Sequence, residues 1–443
     1  MTTSISSAND SRPVLLLFAG VGGARFSEVA APLLDLAQVV VIGYDDALAA
    51  RPDSVNDVPG LELVSVHSGT DLFDAATDYA TRHPVSAALT FSEELIIPTA
   101  RFTTFLRSPG LSLATAIGLS NKYVQRQIFR AAGLPVPPHF LIQSVYDVPT
   151  ALDVVELPAI LKPVRGAGSF MTFVITTEKE LREAIELADA RLPESSQFIL
   201  ESLIRAGVGL ANEGFAPYAS VETAAFDGKY FHYAVSDRFP LYPPVLETGA
   251  MLPSGLPAHW QEQLTETAEK ALRALGFSYG VAHTELMLTK DGPRLIEVNG
   301  RPGGPLADMF HRVSNIDIVQ EAAKIALGLV PASDPSFRTY CTFIIPRHRV
   351  GATISSVAGF NEVKDLPNVY EVMPLSVSGT TDGFRSLGIA AVFAEAASPE
   401  EAAAIWTQVT STIKVSYNDA DSLSIYRRVP RELAADISYR LPV

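Results

Sequence analysis

The stretch HTELMLTKDGPRLIEVNGRPGG, His283–Gly304, holds two isolated glutamates, Glu285 and Glu297, each inside an otherwise apolar, strand-like run. Asp291-Gly292 lies between the runs and predicts a hairpin. With Lys290-Asp291-Gly292 as a three-residue loop, Thr289 pairs with Pro293 and Glu285 falls opposite Glu297. Leu286, Leu288, Ile296 and Val298 then share the core face, and Glu285, Met287, Glu297 and Asn299 share the other. Directly opposed carboxylates have β-carbons roughly 5 Å apart and repel one another. A hard divalent cation removes that repulsion: Mg²⁺ takes carboxylate oxygens and keeps substrate phosphates as further ligands. Asn299 adds a neutral oxygen on the same face. A solvated strand face is the other use of such a pair, and a two-residue loop would set the glutamates on opposite faces.

A nucleotide carried by that cation needs phosphate ligands elsewhere in the chain. Lys162 ends a strand in LPAILKPVRGAGSF, just before a turn with Arg165, Gly166, Gly168 and Ser169. Backbone N–H groups of a glycine-rich turn can wrap phosphate oxygens, and the lysine adds a point charge. The spacing is not that of a Walker A loop, and a strand rather than a helix follows. Lys122 stands at the start of a helix further upstream. In FILESLI, Glu201 sits in an apolar strand whose backbone could pair with a purine edge.

The elements that must position these groups alternate in type. Near the start, PVLLLFAG, QVVVIGYDD, LELVSV and VSAALTFSE read as strands, with a glycine-rich turn and helical segments between them, which indicates βαβ units and a parallel sheet. Ligands collect beyond the carboxyl ends of such strands, where Glu93 and Glu94 lie. In GLSNKYVQRQIFRAAGLPVPP, Ser120 or Asn121 can cap a helix that Gly133 stops. VETAAFDGKYFHYAV is a hairpin around Asp227-Gly228, AHWQEQLTETAEKALRALG is a helix, and further strands and a helix follow Pro335.

The 443 residues suggest about three domains at ~150 residues each. A 47% hydrophobic and 19% charged composition is globular, apart from a polar, frayed start, MTTSISSAND. The formal net charge of −15 argues against nucleic acid and anionic membrane as partners. Cys341 is the single cysteine, which excludes internal disulfides and reads as a small buried hydrophobe. The first apolar run is too short for a membrane span and has no basic flank, so a cytoplasmic protein is expected.

Taken in order, NKYVQRQIFRAAGLPVP, PAILKPVRGAGSFM, FILESLI, ASVETAAFDGKYFHYAVSDR and GVAHTELMLTKDGPRLIEVNGRPGG resemble the ATP-grasp superfamily over about Leu119–Gly328. HTE…IEVNGRPGG and the upstream TFSEEL resemble its L-amino-acid ligases, which make dipeptides. The fold class so implied is α/β, α+β in the lid, with ATP-grasp architecture. Its divisions would be an N-terminal parallel-sheet pre-ATP-grasp domain (1–119), a lid subdomain (120–203), a central Mg/ATP-binding domain (204–335) and a C-terminal α+β subdomain (336–443). The cofactors implied are ATP and Mg²⁺, or Mn²⁺ in its place.

Residue by residue, the resemblance implies that Lys122 and Lys162 hold ATP phosphates, with Gly166, Gly168 and Ser169 closing over them. Glu201 and Leu203 would border adenine through the hinge backbone, and Met287 would join the nucleotide site. Arg238 would reach phosphate, and Glu285, Glu297 and Asn299 would ligate the metal. Arg301 would hold an acyl-phosphate or a substrate carboxylate. Glu94 would contact the substrate amine, with Glu93 as a competing register. Glu94, Glu222 and His283 are candidates to accept the amine proton, His283 being equally suited to orienting a neighbour. Glu247, in ETGAMLPS, is either a substrate contact or part of a surface loop. Departures from the pattern are Glu201-Ser202 in place of a charged pair and the insertion RAGVGLANEGFAP.

The activity implied is an ATP-dependent carboxylate–amine ligase, with small-molecule carboxylate and amine substrates, amino acids or analogues. The alternatives are a biotin-carboxylase-like or purine-pathway ligase, or a non-catalytic nucleotide-binding subunit. Related enzymes are often dimers, which leaves a homodimer open.

Overall fold

The computed structural model describes residues 11–20, 25–51, 53–193, 196–207, 209, 211–243, 245–349, 352–375, 379–380 and 388–418. The polar start at 1–10 and the glycine turn at 21–24 lie outside the described residues.

The first sheet is parallel, as the βαβ alternation predicts. Strands β1 (Val14–Phe18), β2 (Gln38–Tyr44), β3 (Glu62–Val66) and β4 (Ala87–Thr90) lie in the order β3-β2-β1-β4. Continuous apolar strands suit a sheet covered on both faces. Leu15 and Leu17 enter one core cluster, and Leu16 and Phe18 the opposite one.

Asn121, not Ser120, caps the helix Lys122–Ala131, accepting the N–H groups of Tyr123 and Val124 at 3.0 and 3.1 Å. Ser120 closes the preceding helix, Leu113–Ser120. An antiparallel sheet follows: β5 (His139–Ile142), β6 (Ala159–Pro163), β7 (Phe173–Ile175) and β8 (Phe198–Ser202), ordered β5-β8-β6-β7. The helix Glu178–Asp189 buries Leu181, Ala184, Ile185 and Ala188 in the core cluster under this sheet.

The largest sheet is built from β9 (Tyr218–Phe226), β10 (Lys229–Arg238), β11 (Gly249–Leu252), β12 (Gly280–Thr289), β13 (Gly292–Asn299) and β14 (Tyr340–Ile344). Of the strands that follow, β15 (Thr353–Ala358), β16 (Val369–Pro374), β17 (Gly379–Thr380), β18 (Ala390–Ala396) and β19 (Lys414–Tyr417), two extend it. Its order is β13-β12-β9-β10-β11-β14-β18-β16, and β17-β15-β19 form a small separate sheet. The helix Ala258–Leu275 packs Leu264, Ala268 and Leu272 against Leu286, Leu288, Leu295 and Val298 of the site hairpin.

That hairpin differs from expectation in its turn. Thr289 pairs with Gly292, leaving a two-residue loop, Lys290-Asp291, and Leu286 pairs with Leu295. Such a loop alone would part the two glutamates. The register then shifts by one residue, Ile296 being the extra one, and Glu285 again faces Glu297. The bulge therefore preserves the pairing that the wrong loop length had suggested. Ile296 pays no part in the core face expected of it: Leu295 packs there instead, and Ile296 joins Met287 in the wall of a cleft.

Candidate active site

Three strands and one helix converge on the glutamate pair. On β12, His283 and Glu285 face the same side as Glu297 and Asn299 on β13, and across β9 they align with Glu222 and Ser220. The side chains of Glu285 and Glu297 are 17% and 19% exposed, so this is not a solvated strand face. Lys122 Nζ lies 3.3 Å from Glu297 Oε2, and Asn299 donates its amide to Glu297 Oε1 at 3.2 Å. Burial would raise the Glu297 carboxyl, but Lys122 and Lys162 outweigh it and hold the group down at about 2. The pair is an oxygen set suited to a hard cation. Among the described residues no group of three His, Cys, Asp or Glu is arranged to hold an ion by itself. Two carboxylates and an amide oxygen fit Mg²⁺ that draws its remaining ligands from phosphate and water.

Lys162, next to last in β6, has its Nζ 3.0 Å from Glu201 Oε2. Arg126, one helical turn beyond Lys122, is 2% exposed and grips Glu201 with two bonds of 2.6 and 3.2 Å. Its Nη2 also donates to the Ile296 carbonyl at 2.6 Å. Burial opposes ionisation of Glu201, yet Arg126 and Lys162 hold its carboxyl at about 2. The Glu201 side chain is thus an internal counter-charge, and only its backbone is left for a hinge role. Leu203 donates its N–H to the Pro158 carbonyl at 3.0 Å. Proline has no N–H to return, so Pro158 gives the Leu203 carbonyl no donor.

The glycine loop after β6 uses left-handed backbone at Gly166 (φ 132), Gly168 (φ 68), Ser169 (φ 56) and Met171 (φ 51). A Cβ at Gly166 or Gly168 would meet nothing within 4 Å, so these glycines serve conformation rather than space. The loop is anchored at two points: Lys122 Nζ donates to the Gly166 carbonyl at 2.7 Å, and Ser169 Oγ to the Val245 carbonyl at 3.0 Å.

A buried polar chain backs the pair. Glu222, fully buried, binds His283 Nδ1 and accepts the Gly303 N–H at 3.3 Å. His283 Nε2 lies 3.2 Å from Glu285 and 2.9 Å from Arg238 Nη2. Burial would lower the imidazole, but Glu222 and Glu285 raise it to about 9. Both ring nitrogens are engaged, an arrangement in which His283 can orient its neighbours. Arg238 extends the chain to Glu247, its Nη1 3.2 Å from Oε1. Glu247 is therefore part of the site wall, not a detached surface loop.

At the other end, Arg301 Nε lies 3.2 Å from Glu93 Oε2. Burial raises the Glu93 carboxyl despite Arg301 and Lys122 nearby. Glu94, the register favoured from sequence, is exposed and rests against Gly20 at the end of β1, although both glutamates line the cleft. The short 3-10 turn Glu93–Leu95 turns Glu93 inward.

Two clefts meet at the glutamates. One, of about 1040 Å³, runs between the two antiparallel sheets past Lys122, Lys162, Glu201, Leu203, Met287 and Ile296. The other, of about 1210 Å³, is bounded by Glu93, Glu94, Arg238, His283, Asn299 and Arg301. Glu285, Glu297, Glu247 and the loop residues Ala167–Ser169 belong to both. Apart from Glu222, which is buried behind the pair, the site residues expected from the sequence line one cleft or the other. Gln125 and Arg126 were missed; their signal was their place, three and four residues after Lys122, on the buried side of that helix.

Residues 155–308 match the family model described as an ATP-grasp domain, and the chain carries that domain. It is 28% identical over 247 residues to the alanine–anticapsin ligase of Bacillus subtilis (strain 168), covering 53% of this chain and 52% of that protein. It is 43% identical over 113 residues to carnosine synthase 1 of Gallus gallus, covering 25% of this chain and 12% of that one. The chain thus spans about half or less of these curated relatives. The fold is shared with an L-amino acid ligase from Bacillus licheniformis, with a TM-score of 0.75 and 20% identity, over 93% of this chain and 100% of that one. No helix among the described residues is long and apolar enough to cross a membrane.

Proposed function

We propose that the protein is an ATP-dependent ligase that joins a small-molecule carboxylate to an amine, both amino acids or close analogues. The observation that carries this reading is the position of Glu285 and Glu297 at the junction of two clefts, one lysine-lined and one lined by Arg301 and Glu93. The alanine–anticapsin ligase and the L-amino acid ligase among the similar proteins support the same class.

In this reading Glu285, Glu297 and Asn299 hold Mg²⁺, or Mn²⁺ in its place, which neutralises phosphate charge when bound. Lys122 and Lys162 position the phosphates, Glu201, Leu203 and Met287 line the base end, and Arg238 supports the phosphate side. Arg301 holds the acid. A carboxylate oxygen attacks the γ-phosphorus, the bond to ADP breaks, and an acyl-phosphate results. The amine nitrogen then bonds to the acyl carbon as phosphate leaves and the ammonium proton is lost to a nearby carboxylate, for which Glu93 and Glu94 are placed. Phosphoryl transfer of this kind needs alignment and charge neutralisation rather than a protein nucleophile. The glycine loop, as the shared wall, keeps water from the acyl-phosphate.

A phosphate-release screen over paired amino acids, with products weighed by mass spectrometry, tests the proposal. ADP and phosphate should appear only when both a carboxylate and an amine are present. Release of AMP and pyrophosphate overturns it, and bicarbonate-dependent hydrolysis with no amide product would favour a carboxylase. Glu297→Gln should lower turnover at least about a hundredfold in a chain that still folds.

A further inference from the structure

We infer that Gln125 is a positioning residue for the metal-binding carboxylates, acting as a substitute neighbour strand that locks the bulge at Ile296. The inference rests on the metal assignment proposed above for Glu285 and Glu297.

Strand β13 is the edge of the large sheet, so alternate backbone groups point away from β12 and need partners. The Gln125 side chain, 1% exposed, supplies them at Val298: its Nε2 donates to the Val298 carbonyl at 2.9 Å, and its Oε1 accepts the Val298 N–H at 2.9 Å. A carboxamide that both donates and accepts at one residue reproduces what an adjacent strand would do. One residue further along the helix, Arg126 donates to the Ile296 carbonyl. One turn back, Lys122 reaches Glu297. A single helical face therefore grips 296, 297 and 298, the extra residue and its two successors.

The grip matters because the local turn works against the site. The two-residue loop at Lys290-Asp291 sets a register in which Glu297 would point away from Glu285. Only the one-residue shift before Glu297 brings the carboxylates together. An edge strand freed of its outer partners can absorb or move a bulge, since nothing beyond it fixes the register. Gln125 touches neither carboxylate and lines neither cleft, yet it fastens the backbone immediately after Glu297. Arg126 cannot carry this role alone, because its other bonds belong to Glu201.

The test compares nucleotide affinity with and without metal, which separates positioning from general stability. ADP binding by the full chain is measured calorimetrically in Mg²⁺ and in EDTA, alongside thermal unfolding, for wild type, Gln125→Leu and Gln125→Glu. Leucine keeps the volume and removes both bonds; glutamate keeps the acceptor for the Val298 N–H and loses the donor. The expected result is a loss of about tenfold or more in Mg²⁺-dependent affinity for Gln125→Leu, at least as large a loss for Gln125→Glu, whose carboxylate would face the Val298 carbonyl, and metal-free affinity within about twofold of wild type. Equal losses in both media that track the unfolding temperature overturn the inference, as does a chain that fails to fold with either substitution, since Gln125 would then be a general structural residue. A wild type that responds to Mg²⁺ and variants that match it overturn the role of Gln125 alone. A wild type indifferent to Mg²⁺ removes the metal assignment and this inference with it.

Discussion

Replacing Arg126 by Met removes a guanidinium that is 2% exposed while keeping most of its stem. Glu201, 4% exposed, loses two charge-assisted bonds and keeps only Lys162 at 3.0 Å. Removing one partner of a buried ion pair costs about 3–5 kcal/mol. The remaining lysine places this case near the lower end, at about 3 kcal/mol. The pH dependence follows from the depressed carboxyl. Glu201 is held at about 2, so the pair stabilises the native chain fully above the ordinary carboxylate range and is lost as pH falls toward about 2. In Arg126→Met that carboxyl rises, so the cost is largest at pH 7 and shrinks toward pH 4. Hydrogen exchange on β8 and β13 reads the local opening free energy without assuming that the whole chain unfolds in one step. Adding Glu201→Gln should recover at least about half of the loss, because the unpaired buried charge is then gone. A single-variant cost below about 1 kcal/mol, which is the size of a surface pair, or strictly additive single and double effects would refute the reasoning.

Two further perturbations probe the surrounding frame. Burial raises the Asp237 carboxyl to about 6 against the hydrogen bonds from Ser254 and Gly255. Its contribution is present below about 4 and lost as pH rises through about 6, so Asp237→Asn should gain in melting temperature relative to wild type between pH 4 and 7; a flat difference contradicts this. Gly249→Ala would place a Cβ against the Phe343 carbonyl at a φ of 143°. It should cost at least about 3 kcal/mol in unfolding experiments, and a variant as stable as wild type would show that β11 and β14 can part there.

The legible part of the site was the part encoded by short periods. Alternation in β12 and β13 placed Glu285, Glu297 and Asn299 on one face, and strand-then-glycine patterning placed Lys162 beside its loop. The turn was misread because Asp291-Gly292 fits both loop lengths, and the compensating bulge is held by Gln125 and Arg126 from a helix more than a hundred residues away in sequence. No local pattern in β13 announces such a clasp. The choice between Glu93 and Glu94 stays open in the sequence for a related reason. Both follow β4 in a short 3-10 turn, where neither a strand nor an α-helix period says which side chain turns inward. Arg126 carries no local signal of its own, because its partner Glu201 comes from a distant strand.

The pleated platform under the hairpin does not stop at β11. Its outer edge is covered by β14, then β18 and β16, and Arg347, just beyond β14, donates to the Glu247 carbonyl at 2.5 Å. Glu247 stands in the wall common to the two clefts. Shortening the chain ahead of Tyr340 would strip β11 of a neighbour, leave a raw hydrogen-bonding rim open to self-association, and loosen Glu247 in the same stroke. Chemistry at one end of the sheet is thereby tied to the covalent integrity of the other.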